Sequence, residues 1–341
     1  LKIGTFFIKN LLYSINFLNL MPIIYITMKK LNLFFAILVV TTAFFAGCKK
    51  DETSNVDDDN TNGGGSSGLV VENKQRSLLA YVTATWCGPC GQFGGPNFKA
   101  AVTDKGTSEI IALNIQTSSS RLTPYFKRLS SLDNQDSVYI SPIFSNIFAS
   151  LNIPTNAQGG FSIPSFSMNN AFLGTSNVTS TTMTNNATSF NSNAPVVGVA
   201  AKKTISGNTI TVDVKSKFFK EGSGEYFWSA LIVEKSVTGY QLVGGTANEN
   251  YEHKYNVRAS MQGGEMYNQT VFGSSSFASG TVAVGTEFTK TFKLNYVNYT
   301  SINPAFGVIQ WNLNPVNTNV AVIVWKKNGT RYDFVNGFVA E

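Results

Sequence analysis

Leu78-Leu79-Ala80-Tyr81-Val82-Thr83-Ala84, followed by Thr85 and then Trp86-Cys87-Gly88-Pro89-Cys90, is the stretch from which the fold of this chain is read. The first seven residues form an apolar, β-type run of the kind that fills a buried strand. A Cys-x-x-Cys pair at the end of such a strand reads as a thiol/disulfide redox centre. Cys87 then falls at a helix N-terminus, where unpaired backbone N–H groups and the positive end of the helix dipole favour thiolate over thiol. Cys87 is therefore the candidate nucleophile, and Cys90, one helical turn further in, the residue that resolves a mixed disulfide.

Other readings of the pair are bounded by the rest of the chain. A structural zinc site uses four Cys or His ligands, and the sequence offers only Cys48 and His253 besides the pair. No metal and no cofactor is expected. A purely structural disulfide remains open, since disulfides persist in exported proteins. Trp86 before the pair and Gly88-Pro89 inside it favour the redox reading.

The pentapeptide Trp86 to Cys90, preceded by its strand, resembles the active-site motif of the thioredoxin superfamily. The resemblance implies a thioredoxin-like α/β domain and a cis-proline facing the cysteines at the start of a later strand. Ile163-Pro164, followed by Ser165-Phe166-Ser167-Met168 and a turn at Asn169-Asn170, fits that place better than Pro154, which Asn, Ala, Gln and Gly follow. Trp86, Gly88, Pro89, Ile163 and Pro164 would then shape the substrate groove. Two departures stand out. The buried acid six residues before the first cysteine is replaced by Tyr81, and the helix after Cys90 begins Gly91-Gln92-Phe93-Gly94-Gly95-Pro96. Glycine costs about 1 kcal/mol per helical position relative to alanine, so weak first turns are expected.

Upstream, Met28-Lys29-Lys30 and the apolar run Leu31 to Ala46 end at Phe45-Ala46-Gly47-Cys48. This resembles a bacterial lipoprotein signal over 28–47, with Cys48 as the lipidated first residue of the mature chain. The apolar run is shorter than the roughly 20 residues of a membrane span. Residues 1–27 read as an upstream extension placed ahead of the true start. The stretch 48–68, with Gly63-Gly64-Gly65-Ser66-Ser67-Gly68, is a flexible linker. Its acidic cluster, Asp51-Glu52 and Asp57-Asp58-Asp59, is either a sorting signal toward the cell surface or a solvated tether.

The positive balance belongs largely to the leader. Lys2, Lys9, Lys29 and Lys30 are four of the 26 basic residues, which leaves 22 against 20 acidic residues after Cys48. So small an excess, with no basic stripe interleaved with aromatics, argues against a nucleic-acid partner. Once Cys48 is lipidated, the remaining thiols are the Cys87 and Cys90 pair, which suits an oxidising compartment.

About 270 residues follow the linker, enough for two domains. The Ser/Thr/Asn-rich segment from Thr179 to Asn193 marks the boundary, giving a thioredoxin-like domain over 69–193 and a β domain over 194–341. In the first, Leu78 to Ala84 and Ile110 to Ile115 are strands. A helical insertion is expected between Ile115 and Pro164, from Leu122, Tyr125, Phe126, Leu129 and Leu132, and from Ile143, Phe144, Ile147, Phe148 and Leu151 behind Ser141 and Pro142. Val178 to Phe190 is the last helix. From Pro195 onward short alternating runs recur: Val196 to Lys202, Thr209 to Lys217, Tyr226 to Glu234, Tyr251 to Ala259, Phe288 to Tyr296 and Val320 to Trp325. Ser206-Gly207-Asn208 and Asn328-Gly329 are hairpin signals, the second of type I′. The pattern implies an all-β, immunoglobulin-like sandwich.

Tyr251-Glu252-His253-Lys254-Tyr255-Asn256-Val257-Arg258, with Trp311-Asn312, Asn319 to Val324 and Val335-Asn336-Gly337, resembles the C-terminal part of the 28-kilodalton outer membrane protein family. That family implies the same order of lipoprotein signal, thioredoxin-like half and β-sandwich. His253, beside Glu252 and without an accompanying nucleophile, is expected to be structural. The functional expectation is a thiol-disulfide oxidoreductase of the cell envelope, lipid-anchored in the outer membrane, that acts on protein thiols or disulfides and draws on an envelope electron donor. The alternative is a surface binding or adhesion lipoprotein that uses the thioredoxin-like half as a scaffold.

Overall fold

The computed structural model describes residues 68–117, 143–264, 270–296, 299–303, 307–311 and 313–341. Cys48 with the expected signal and the linker as far as residue 67 lie outside the described residues, as do Leu122, Tyr125, Phe126, Leu129, Leu132, Ser141 and Pro142 of the expected insertion. Most of the described chain is β, built around one large mixed sheet with few helices.

Strand β1, Ser77–Thr83, pairs in parallel with β2, Ile110–Gln116, through helix α1, Gly95–Lys105. Both strands are buried at every position, which is why they read as continuous apolar runs rather than alternating ones. A short α2, Phe144–Ile147, runs into a 3-10 turn, Phe148–Leu151. Antiparallel to β1 comes β3, Ser165–Met168, which turns back at Asn169-Asn170 into β4, Ala171–Gly174. Helix α3, Ser180–Asn191, starts where the Thr179 side chain accepts the Thr182 N–H, an N-cap that offsets the modest helix propensity of its threonines and asparagines.

The remaining strands are β5 (Val197–Ser206), β6 (Thr209–Phe218), β7 (Gly222–Ser223), β8 (Tyr226–Val243), β9 (Thr246–Ser260), β10 (Thr281–Val282), β11 (Glu287–Asn295), β12 (Tyr299–Asn303), β13 (Gly307–Trp311), β14 (Thr318–Asn328) and β15 (Arg331–Ala340). The large sheet has the order β15-β14-β8-β9-β2-β1-β3-β4, and β5, β6 and β11 make a separate three-stranded sheet. Strands from both sides of residue 193 thus share one sheet, through a parallel bridge between Asn114 of β2 and Asn256 of β9.

Each face of this sheet has its own apolar layer. On one, Leu78, Ala80, Ile111 and Leu113 from the first segment join Leu231, Val233, Ile323 and Trp325 from the second, under Ile143, Ile147 and Leu151. On the other, Leu79, Ile110 and Phe166 pack on Phe98 of α1 and Met183 of α3. Further along, Trp228, Ala230, Ile232, Val320 and Val322 meet Val199, Val212, Val214 and Phe292 of the three-stranded sheet, two β layers face to face. Covered on both sides, Ala230 to Val233 of β8 and Val320 to Trp325 of β14 are apolar throughout.

Three expectations are corrected. The runs Tyr226 to Glu234 and Tyr251 to Ala259 are the inner parts of much longer strands, because Ser236 to Val243 and Thr246 to Lys254 continue the pairing as a half-exposed arm. Arg331–Ala340, which the alternating runs omit, is a full strand against β14. Asn328 ends β14 opposite Arg331, so the turn is centred on Gly329 and Thr330, and the Asn328 amide donates to Asp333 across the hairpin instead of occupying the turn.

Asn336 of β15 ties the segment just before β1 to the start of β5. It is fully buried; its Nδ2 donates to the carbonyls of Lys74 (2.9 Å) and Val197 (2.8 Å), and its Oδ1 accepts from the N–H groups of Arg76 (3.0 Å) and Gly337 (2.9 Å). Asn336→Ala leaves these backbone groups without their partner and is expected to cost about 2 kcal/mol. Urea unfolding at unchanged m-value measures it, and an unshifted midpoint contradicts it.

Candidate functional site

Leaving β1, the chain turns at Thr85 and Trp86 and delivers Cys87 to the start of a helix that continues into α1 with a π-type turn over Cys90–Gly94. The Cys87 N–H donates to the Ala84 carbonyl (3.1 Å) and the Gly91 N–H to the Cys87 carbonyl (3.2 Å), which sets the loop's geometry. Cys87 and Cys90 are joined as a disulfide, with the Cys90 N–H 3.2 Å from Cys87 Sγ. The Ile163–Pro164 bond is cis, and the Ile163 carbonyl oxygen lies 3.7 Å from Cys87 Sγ. Trp86 and Ile163 are half-buried and Pro89 is exposed, while Gly88 and Pro164 are buried. The structure therefore brings Trp86, Cys87, Gly88, Pro89, Cys90, Ile163 and Pro164 together, while Cys48 lies outside the described residues.

Tyr81, six residues before Cys87, is buried. Its ring is stacked on Phe166 and lies beside Phe98; its hydroxyl donates to the Cys90 carbonyl (2.9 Å) and accepts from Thr83 Oγ1 (2.9 Å). Burial raises its pKa far above the ordinary phenol value, so it stays neutral and acts as a donor to the backbone rather than as a base. The glycines of the helix start make room for neighbours. A Cβ at Gly94 would lie 2.7 Å from the Tyr81 hydroxyl, and one at Gly95 would lie 2.1 Å from that of Tyr251.

The residues that sequence reasoning missed come from the far end of the β8–β9 hairpin. Gln241, only 2% exposed, donates from Nε2 to the carbonyls of Ala84 (3.2 Å) and Cys87 (3.0 Å). The Leu242 N–H donates to the Thr85 carbonyl (2.7 Å), and the Gly244 N–H donates to the Gly88 carbonyl (3.0 Å). A signal was available in Gly244-Gly245 between Tyr240-Gln241-Leu242-Val243 and Thr246, a turn pair flanked by strand formers.

Charge holds the other end of the arm. Glu252 bridges Lys254 and Lys99 of α1 and accepts from Ser236 Oγ (2.8 Å); these hydrogen bonds hold its carboxyl down at about 2. Asn114 Nδ2 donates to the Lys254 carbonyl (3.0 Å). His253 is buried and hydrogen-bonds through Nε2 to the Tyr240 carbonyl (3.0 Å), in the strand where the ladder shifts register between Gly239 and Gln241. Desolvation lowers its pKa to about 4, so the imidazole is neutral. Between the arm and the sheet lies a cleft of about 280 Å³ whose lining includes Tyr81, Thr83, Asn114, Tyr251 and His253. Among the described residues no group of three or more His, Cys, Asp or Glu side chains is placed to hold a metal, and no helix is long and apolar enough to cross a membrane.

No protein-family model and no curated protein matches the sequence. Among solved structures, HBP35 of Porphyromonas gingivalis is similar at a TM-score of 0.53 and 14% identity, over 79% of this chain and 76% of that one. At that identity the likeness is one of fold. A β-glucosidase involved in saponin metabolism from intestinal bacteria matches 43% of this chain and 16% of its own length, at 11% identity and a TM-score of 0.19, and carries no inference.

Proposed function

We propose that this chain is a thiol-disulfide oxidoreductase of the cell envelope, with a thioredoxin-like half, an immunoglobulin-like β-sandwich and a lipid anchor at Cys48. The observation that carries the reading is the convergence of Cys87 and Cys90 at a helix start with the cis Ile163–Pro164 bond beside them. In the reduced protein the Cys87 thiolate attacks one sulfur of a substrate disulfide, forms a mixed disulfide and releases the other sulfur as a thiolate. The Cys90 thiolate then attacks Cys87 Sγ, releases the second substrate thiolate and forms the Cys87–Cys90 disulfide. Two electrons pass to the substrate, and an external dithiol must return them. Gly88-Pro89 resembles the reducing members of the superfamily, which favours this direction. The anchor rests on the sequence from Met28 to Cys48.

The test is to give the purified full chain dithiothreitol as donor and insulin as disulfide substrate. Insulin reduction above the dithiothreitol background supports the proposal, and its absence together with absence of exchange with glutathione disulfide removes it. For the anchor, Cys48→Ala is expected to abolish fatty-acid labelling and membrane retention; persistence of both overturns that part. The scaffold alternative draws on Tyr81 in place of an acid and on a Cys87 that is only 5% exposed.

A further inference from the structure

The β8–β9 arm lies on the redox loop, and nothing in the oxidoreductase reading requires it there. From Ser236 to Val243 it projects about 24 Å beyond the shared sheet, at the usual strand rise of roughly 3.4 Å per residue. Its outer strand, Thr246 to Asn250, faces solvent, whereas Tyr240 and Gln241 of the inner strand are buried. The contact at its tip is made by backbone. Leu242 and Gly244 donate N–H groups to Thr85 and Gly88, the residues that flank Trp86 and Cys87. The approach is close enough to demand glycine opposite. A Cβ at Gly88 would lie 2.0 Å from the Gly244 carbonyl oxygen, and one at Gly91 would lie 2.4 Å from that of Leu242. Behind this contact the cleft separates arm from sheet, so the arm is held at its tip and its base and spans the space between.

We propose that this arm is the specificity determinant of the redox centre: it stands against one wall of the Cys87 loop and restricts exchange to low-molecular-weight or extended-chain disulfides that approach from the Trp86 and Ile163–Pro164 side. The proposal rests on the oxidoreductase reading. With Gly88 and Cys87 buried and Pro89 exposed, the loop has one covered flank and one open flank. A slender disulfide reaches Cys87 Sγ past the open flank. A folded protein whose surface surrounds its disulfide meets the arm first, and the arm must leave Thr85 and Gly88 before the sulfurs can come into line.

The register offers a clean variant. Gln241 pairs with Asn248, so replacing residues 242–247 by Asn-Gly closes the arm with a two-residue turn, keeps Gln241, and removes only the tip. The full chain and this variant, both reduced, are mixed with glutathione disulfide or with insulin, and the two rates of oxidation are compared. Removing two docking hydrogen bonds is expected to raise the insulin-to-glutathione rate ratio about tenfold. An unchanged ratio overturns the specificity role. Absence of reaction with glutathione disulfide in the wild-type chain instead removes the oxidoreductase reading and this one with it. Should the variant fail to fold, amide hydrogen exchange in the wild type decides: protected Leu242 and Gly244 amides support a docked arm, and exchange at the rate of a free peptide overturns it.

Discussion

Cys87→Ser is expected to bring insulin reduction down to the dithiothreitol background, whereas Cys90→Ser is expected to accumulate a covalent adduct between Cys87 and its substrate. The asymmetry follows from position. Cys87 lies at the helix start, 5% exposed, with Ile163 and Pro164 beside it, while Cys90 is 1% exposed inside the first turn with its carbonyl held by Tyr81. Only Cys87 can meet a substrate sulfur, and without Cys90 the mixed disulfide has no intramolecular exit. Serine cannot substitute for the thiolate nucleophile. Turbidity follows insulin reduction, and intact-mass measurement under non-reducing conditions detects the adduct. Equal turnover by wild type and Cys87→Ser contradicts the assignment; an adduct trapped through Cys90 in the Cys87→Ser protein would invert the two roles.

The same residues show what a linear reading can reach. Leu78 to Ala84 and Ile110 to Ile115 were legible because a strand buried on both faces is apolar at every position. Ile163-Pro164 stood out through the strand behind it. The far half of the β8–β9 hairpin was not legible, for a physical reason. Ser236 to Val243 mixes polar and apolar residues, because the arm is covered only where it meets the redox loop and the cleft. Two of its four bonds to that loop are donated by main-chain N–H groups, all four are accepted by main-chain carbonyls, and Gln241 lies 157 positions from Ala84. Side-chain patterns carry no record of such a contact except the glycines opposite it. Gly88 and Gly91 were read as a property of the motif and a weakness of the helix, yet each is where a foreign carbonyl comes within reach of an absent Cβ.

His253 should make stability fall steeply on mild acidification. In the unfolded chain its imidazole titrates near the ordinary 6.5, while in the fold burial lowers this to about 4, opposed only in part by the bond to the Tyr240 carbonyl. Between those values the unfolded chain takes up a proton that the folded one refuses, so the contribution of neutral His253 is full above pH 6.5, declines as pH falls, and is exhausted below pH 4. The separation corresponds to about 3 kcal/mol across the window. Glu252 does not mask the effect, because its carboxyl stays ionised in the fold down to about pH 2 and its own contribution fades only below the 4.5 of a free glutamate. His253→Gln keeps a donor for the Tyr240 carbonyl and removes the titration. The difference between wild-type and variant unfolding free energies, taken from urea curves at steps between pH 7 and pH 4, should therefore shrink by that amount as the pH falls. A difference that stays constant through the window would show that His253 is already protonated in the fold, or reaches solvent through the cleft beneath the arm.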